Sequence, residues 1–236
     1  MSTTTPTIVL VHGAFGDSGM WRGVVAELQA QGYTALAVPN PLRGLESDAA
    51  YAATVAKSVD GPVVLVGHSY AGAVITRAAR DAANVEALVY VAAFQPDEGE
   101  SCLENAGRFE GAKMGPATTV SFEHEGEPEL RILPEHYRDV IAGDLPAETT
   151  DLLAVTQRSV RVQALTAELS GTPAWRTLPS WAVVATQDNA IPGRAQEFMA
   201  ERAGSRIVRV EGSHAVSISQ PHAVAGVIIE AAKATR

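Results

Sequence analysis

Two runs, Ile8-Val9-Leu10-Val11 and Val63-Val64-Leu65-Val66, constrain the fold of this chain more than any other feature. Both are continuous rather than alternating, rich in β-branched residues, and closed by glycine-containing turns, the pattern of strands buried on both faces of a parallel sheet. Parallel neighbours need crossovers, and segments with helical spacing stand where crossovers belong. Ser18 to Gln31 carries Trp21, Val24, Val25 and Leu28 on one helical face, with Gly32 in the C-cap place. Tyr33 to Val38 reads as a strand, and Ser47 to Val59 as a helix capped by Ser47 and closed by Asp60-Gly61-Pro62. Ser69 to Ala83 reads as a helix, Val85 to Ala93 and Trp181 to Thr186 as strands, Gly193 to Arg202 as a helix, Arg206 to Val210 as a strand and Pro221 to Lys233 as the closing helix. This alternation predicts an α/β fold, doubly wound, with a mainly parallel sheet of about six strands.

The alternation stops between Gln95 and Pro179. That stretch is acidic and rich in glycine and proline, with a hairpin expected around Glu125-Gly126-Glu127-Pro128 and helices at Pro134 to Ala142 and Ala147 to Glu168. A loop of such length without structure of its own would be improbable in a compact domain, so residues 95–179 are expected to be a mostly helical cap inserted into a single domain spanning 1–236. A chain of 236 residues does not require a second core.

Composition removes several classes of function. Hydrophobic residues make up 46% and charged residues 19%, the balance of a globular protein and too apolar for a disordered one. The net charge of −9 has the wrong sign for a surface that gathers nucleic acid or anionic lipid, so neither is expected as a partner. Cys102, the single cysteine, cannot form an internal disulfide. The opening MSTTTPT carries no basic stretch followed by an apolar run, so no secretory leader is expected and the cytoplasm is the expected compartment. The most apolar runs, Thr7 to Val11, Pro62 to Val66 and Val85 to Phe94, are about half as long as a membrane span requires.

Chemistry enters at Gly67-His68-Ser69-Tyr70-Ala71-Gly72, where a buried strand should turn directly into a helix. A serine at such an elbow is pushed out over the sheet edge, and the residues two places either side must be small because strand and helix nearly touch. Gly67 and Ala71 meet that need. Attack by Ser69 on an acyl carbon would place negative charge on the former carbonyl oxygen, which two backbone amides can stabilise by roughly 3 kcal/mol each. Ala14, in the turn His12-Gly13-Ala14-Phe15 after the first strand, and Tyr70, at the head of the helix, are the candidate amides. A histidine before a tight glycine turn commonly holds its loop by hydrogen bonding, and that role is expected of His12.

The base must be a histidine reaching Ser69, oriented by a carboxylate. His214 follows the strand ending at Val210 and so falls at the same sheet edge as Ser69. His68 is expected to point away through the elbow, and His124, His136 and His222 to be solvated. For the acid, Asp188 follows the Trp181 strand and gives the chain order serine, aspartate, histidine, with Asp97 as the alternative. Phe15, Tyr70, Phe94 and Trp175 are candidate apolar walls of a pocket between the sheet edge and the cap. No pair of side chains has metal-ligand helical spacing, and Gly13, Gly16 and Gly19 do not form a dinucleotide fingerprint, so neither metal nor cofactor is expected.

With Val11-His12-Gly13-Ala14, Val66-Gly67-His68-Ser69 with Gly72, Ala92-Ala93-Phe94 leading to Pro96-Asp97-Glu98-Gly99, Gln187-Asp188 and His214, the chain resembles the α/β-hydrolase superfamily. The likeness is to its small cofactor-free serine esterase branch, which includes plant methyl-ester esterases, hydroxynitrile lyases and bacterial esterases. The resemblance implies catalytic Ser69, Asp188 and His214, oxyanion amides from Ala14 and Tyr70, and a helical cap between the sixth and seventh strands of the family's sheet. Lyases of that branch carry threonine where Gly13 stands and lysine where Ala215 stands, which disfavours cyanohydrin cleavage. The expectation is a hydrolase of a small or medium, largely apolar carboxylic ester acting through an acyl-enzyme, as a monomer or homodimer. Carbon–carbon hydrolysis, thioester hydrolysis or perhydrolysis by the same triad remain alternatives, as does a slow or non-catalytic ligand receptor.

Overall fold

The computed structural model describes residues 5–235. Residues 1–4, part of the opening segment expected to carry no secretory leader, and residue 236 lie outside the described residues. The chain runs β1 (Thr7–Val11), a 3-10 turn (Ser18–Trp21) into α1 (Arg22–Ala30), β2 (Ala35–Val38), α2 (Leu45–Lys57), β3 (Val63–His68), α3 (Ala71–Ala78) and β4 (Val85–Val91). It then leaves the sheet for α4 (Cys102–Ala106), β5 (Thr119–His124), β6 (Glu127–Ile132), α5 (Pro134–Val140), α6 (Ala147–Thr156), β7 (Val160–Arg161) and α7 (Val162–Thr166). It returns through β8 (Ser180–Ala185), α8 (Gly193–Arg202), β9 (Arg206–Val210), α9 (Val216–Ser219) and α10 (Pro221–Ala234). No helix among the described residues is long and apolar enough to cross a membrane.

The main sheet has six strands in the order β2-β1-β3-β4-β8-β9, and every pair is parallel. Period-two alternation splits each buried strand between two cores. Val9, Val11, Val63 and Leu65 face the layer that holds α2 and α3, whereas Ile8, Leu10, Val64 and Val66 face α1 and α10. Because both faces are covered, an apolar residue is required at every position of these runs, which is why they are continuous. From β1 the chain steps outward to β2, then crosses back over β1 to β3. That reversal opens a crevice beyond the carboxyl ends of β1 and β3, the usual ligand position in open α/β sheets.

Local expectations were corrected in three places. The α2 helix begins at Leu45, two residues ahead of the predicted Ser47 cap. Ser47 instead turns its hydroxyl back to the Gly44 carbonyl at 3.0 Å, and the carboxylate of Asp48 accepts the Arg43 and Gly44 amides. The α3 helix starts at Ala71, not Ser69, because Ser69 is left-handed with φ of 55°. The helix predicted over Ala147 to Glu168 is broken. Val160 and Arg161 pair with Leu130 and Glu129 of β6, so sheet pairing overrides helical propensity there.

The cap is therefore helices around a small antiparallel sheet, β5-β6-β7. Its hairpin turns at Glu125-Gly126, both left-handed, which matches the right-handed twist of the flanking strands. The cap is tied to the core at several points. Arg43, before α2, pairs with the buried Glu129 of β6, and Glu100 pairs with Arg202 of α8 at 2.6 Å.

At the junction of β3 and α3, a Cβ on residue 67 would lie 2.5 Å from the Ala71 carbonyl oxygen. Gly67→Ala is expected to lower the free energy of unfolding by about 2 kcal/mol, because strand and helix must separate to admit one methyl group. Urea titration checks this.

Candidate active site

Ser69 occupies the elbow between β3 and α3, and its backbone is held from three directions. Its amide donates to Val91 O at 3.3 Å, and its carbonyl accepts from Gly72 N at 3.0 Å and Phe94 N at 3.1 Å. A left-handed non-glycine residue costs of order 1–3 kcal/mol, and it persists only where neighbours over-determine it in this way. The backbone of the β1 turn presses against the same residue. A Cβ at position 13 would sit 2.6 Å from Ser69 Cβ, so glycine is required there and threonine would not fit.

At the ends of β8 and β9 the structure brings two more predicted residues together. His214 Nδ1 lies 2.7 Å from Asp188 Oδ2, and both side chains are buried. Asp188 Oδ1 also accepts the amides of Ala190 at 2.7 Å and Ile191 at 2.8 Å, while Oδ2 accepts Gln196 Nε2 at 2.8 Å. A carboxylate that accepts from such donors favours a proton on His214 Nδ1, and in the neutral ring that tautomer leaves Nε2 as the acceptor. Gln196 escaped the sequence reading. It lies on the buried face of α8 beside Ala195 and Met199, and a glutamine there needs several polar partners: it also donates to Ile191 O and accepts from Ala185 N.

The alternative acid, Asp97, is elsewhere. It pairs with Arg176 at 2.7 Å and accepts the Glu98 amide, as a turn residue at the cap entrance does. His68 differs from expectation: its Nε2 meets the His214 carbonyl at 2.8 Å and its ring centre lies 4.6 Å from that of His214. Burial, together with His214, holds the His68 pKa well below the usual imidazole range, so its neutral Nε2–H donates. His12 holds its loop, with Nε2 accepting the Asn40 amide at 2.9 Å and Nδ1 2.8 Å from the Gly13 carbonyl. His222 is exposed beside Glu27.

Among the described residues, neither the Ala14 nor the Tyr70 amide has a hydrogen-bond acceptor. The two lie beyond the ends of β1 and β3, on either side of the switch-point crevice. Phe15, directly after Ala14, is left-handed with φ of 60°, which turns the chain away and leaves the amide unpaired. The Tyr70 side chain points into the core, where its hydroxyl donates to Asp48 Oδ2 at 2.8 Å. Burial raises the pKa of both partners, keeping the phenol protonated and able to donate.

A cavity of about 410 Å³ opens beside these groups, with Ala14, Phe15, His68 and His214 on the core side and Tyr137 and Leu153 on the cap side. Of the aromatics expected to line it, only Phe15 does so. Phe94 and the Tyr70 ring belong to the core, and Trp175 is fixed by its Nε1 bond to Pro96 O at 2.9 Å, with Arg176 over its ring. Ser69, 7% exposed, is not among the lining residues, and its hydroxyl makes no hydrogen bond to His214 in this structure. Nucleophile–base contacts of resting enzymes are often long and tighten when substrate arrives.

A sequence profile of the alpha/beta hydrolase family matches residues 8–227. The alpha/beta hydrolase nvfD of Aspergillus novofumigatus is 28% identical, with 96% of each chain covered. The putative chloroplastic methylesterase 11 of Arabidopsis thaliana is 24% identical over 97% of this chain, which spans 64% of that longer protein. Among solved structures, a pyrethroid hydrolase from Sphingobium faniae superposes with a TM-score of 0.80 at 22% identity, covering 98% of both chains.

Burial lowers the His12 pKa to about 4, which gives a pH dependence of known sign. The native ring stays neutral where the unfolded one takes a proton, so this contribution is complete above pH 6.5 and is lost as pH falls toward 4. It amounts to about 3 kcal/mol at most. Histidine ring resonances followed by NMR should place the His12 midpoint near 4.

Proposed function

The chain belongs to the alpha/beta hydrolase family, and on that premise we propose that it is a serine carboxylic-ester hydrolase for small or medium, largely apolar esters. The observation that carries the reading is the buried His214–Asp188 pair, 2.7 Å apart, with His214 lining a cavity whose wall also includes His68, the residue before the left-handed Ser69. An aspartate beside a histidine is common. One whose remaining valences are filled by two amides and a glutamine, so that it serves only to orient the imidazole, suits a general base.

In this reading the Ser69 hydroxyl turns onto His214 Nε2, which takes its proton as Oγ forms a bond to the acyl carbon. The carbonyl π electrons move to oxygen, and the unpaired amides of Ala14 and Tyr70 receive that charge. The tetrahedral species collapses by expelling the alcohol, which leaves with the proton held by His214. Water then gives a proton to the same nitrogen, attacks the acyl-enzyme, and releases the acid as Ser69 regains its hydrogen. The chemistry needs no cofactor. Phe15, Met20, Ile141, Leu153 and Ile218 supply an apolar lining, and 410 Å³ lies within the range of pockets for drug-sized ligands. The methylesterase and pyrethroid hydrolase names of the relatives point the same way.

Two measurements test the reading. A fluorophosphonate should label the wild type at Ser69, and Ser69→Ala should take no label. With short p-nitrophenyl esters, Asp188→Asn is expected to lower kcat about ten-thousandfold by favouring the wrong tautomer, while Asp97→Asn, which loses only its pair with Arg176, keeps wild-type turnover. The reverse outcome would overturn the assignment of the acid, and labelling without turnover would favour a ligand receptor.

A further inference from the structure

The two loops that the proposed reaction uses both hang on one short stretch of the cap. Tyr137 of α5 is buried and donates its hydroxyl to Phe15 O at 3.0 Å. Phe15 is the left-handed residue that turns the chain directly after the Ala14 amide, so this bond anchors the turn from the cap side. Burial raises the Tyr137 pKa, which keeps the hydroxyl a donor at any pH where the fold survives.

Four to seven residues later the same stretch grips the His214 loop. The Ile141 carbonyl, left without a helical partner at the end of α5, accepts Ala215 N at 2.9 Å and lies 3.1 Å from Ser213 Oγ. One carboxylate oxygen of Asp144 accepts Ser213 N at 3.1 Å, and the other accepts the Ser213 hydroxyl. Both neighbours of His214 are thus fastened to the cap, while His214 itself is held by Asp188 and His68. Removing a partner from such a set leaves a buried donor or acceptor unpaired, which favours movement of the loop rather than a silent loss.

We propose that Tyr137 and Asp144 are positioning residues: the 137–144 stretch of the cap is a strut that sets the Ala14 amide and His214 relative to each other. The inference rests on the ester-hydrolase reading for its consequence, since the separation matters only if both groups serve Ser69. A strut fixed at both ends cannot swing aside. On the far side of the cavity α6 contributes Thr149, Leu153 and Thr156 to the wall.

The full chain and its Tyr137→Phe, Asp144→Ala and Asp144→Asn variants test the proposal, with p-nitrophenyl butyrate as substrate. Tyr137→Phe and Asp144→Ala are expected to lower kcat about tenfold or more with little change in KM. They should weaken an aryl trifluoromethyl ketone, which forms the tetrahedral adduct, by the same factor, and leave binding of butyrate unchanged. Asp144→Asn, which keeps an oxygen to accept the Ser213 amide, should recover most of the loss. Unchanged kcat in both variants would overturn the proposal, as would butyrate affinity falling in step with kcat, the mark of a merely loosened cavity. Should the wild type neither take the fluorophosphonate nor turn over, the functional reading fails by itself. Amide exchange then decides the strut: faster exchange at Ser213 and Ala215 in Asp144→Ala supports it, and unaltered exchange overturns it.

Discussion

The left-handed turn at Ser69 is the constraint on which the rest of the site depends. An L-residue does not adopt that conformation without cost, and here it is held by bonds from Val91, Gly72 and Phe94. Those bonds require β3 and β4 to be in register and α3 to begin at once, which in turn requires residue 67 to lack a side chain. The same turn determines where the Tyr70 amide lies and leaves it unpaired at the head of α3. The Tyr70 side chain then reaches Asp48 beneath, so helix α2 also helps to hold the residue after the nucleophile.

Around this point the protein places polar groups in an apolar interior and pairs many of them, although His68 Nδ1 and Asn40 Oδ1 stay without a partner among the described residues. Asp188 has four donors, Gln196 has three partners, and His68 and His12 are kept neutral by burial. A network in which each member is fixed by its neighbours keeps one geometry, because any other leaves a buried group unpaired at a cost of about 1–3 kcal/mol. The cap belongs to this network rather than resting on it. It joins the β1 turn through Tyr137 and the His214 loop through Ile141 and Asp144, and pairs Glu129 and Glu100 with arginines of the core.

Much of the sheet was legible because burial on both faces leaves a continuous apolar signature at β1, β3 and β4, and the helix Gly193–Arg202 and strand Arg206–Val210 fall where their patterns predicted. Ser69, Asp188 and His214 were candidates because each lies within four residues of the end of a strand, and strand ends of a parallel sheet converge on one edge. The pocket walls were less legible. Trp175 and Phe94 are large and apolar, as wall residues are, but composition cannot tell a cavity wall from a core, and both are packed. Gln196 was missed for the opposite reason, since a glutamine in a helix reads as solvated until its neighbours are known.

By itself the sequence determined the alternation of strands and helices, the small residues at the elbow and the order of serine, aspartate and histidine, because these depend on local sterics and on a periodicity written in consecutive residues. Only the tertiary structure decided that Asp188 rather than Asp97 meets His214, that His68 folds back onto the His214 carbonyl, and that 137–144 spans from Phe15 to Ser213. Those pairings join residues far apart in the chain, and hydrogen bonding at 3 Å is set by how layers pack, which no window of neighbouring residues records.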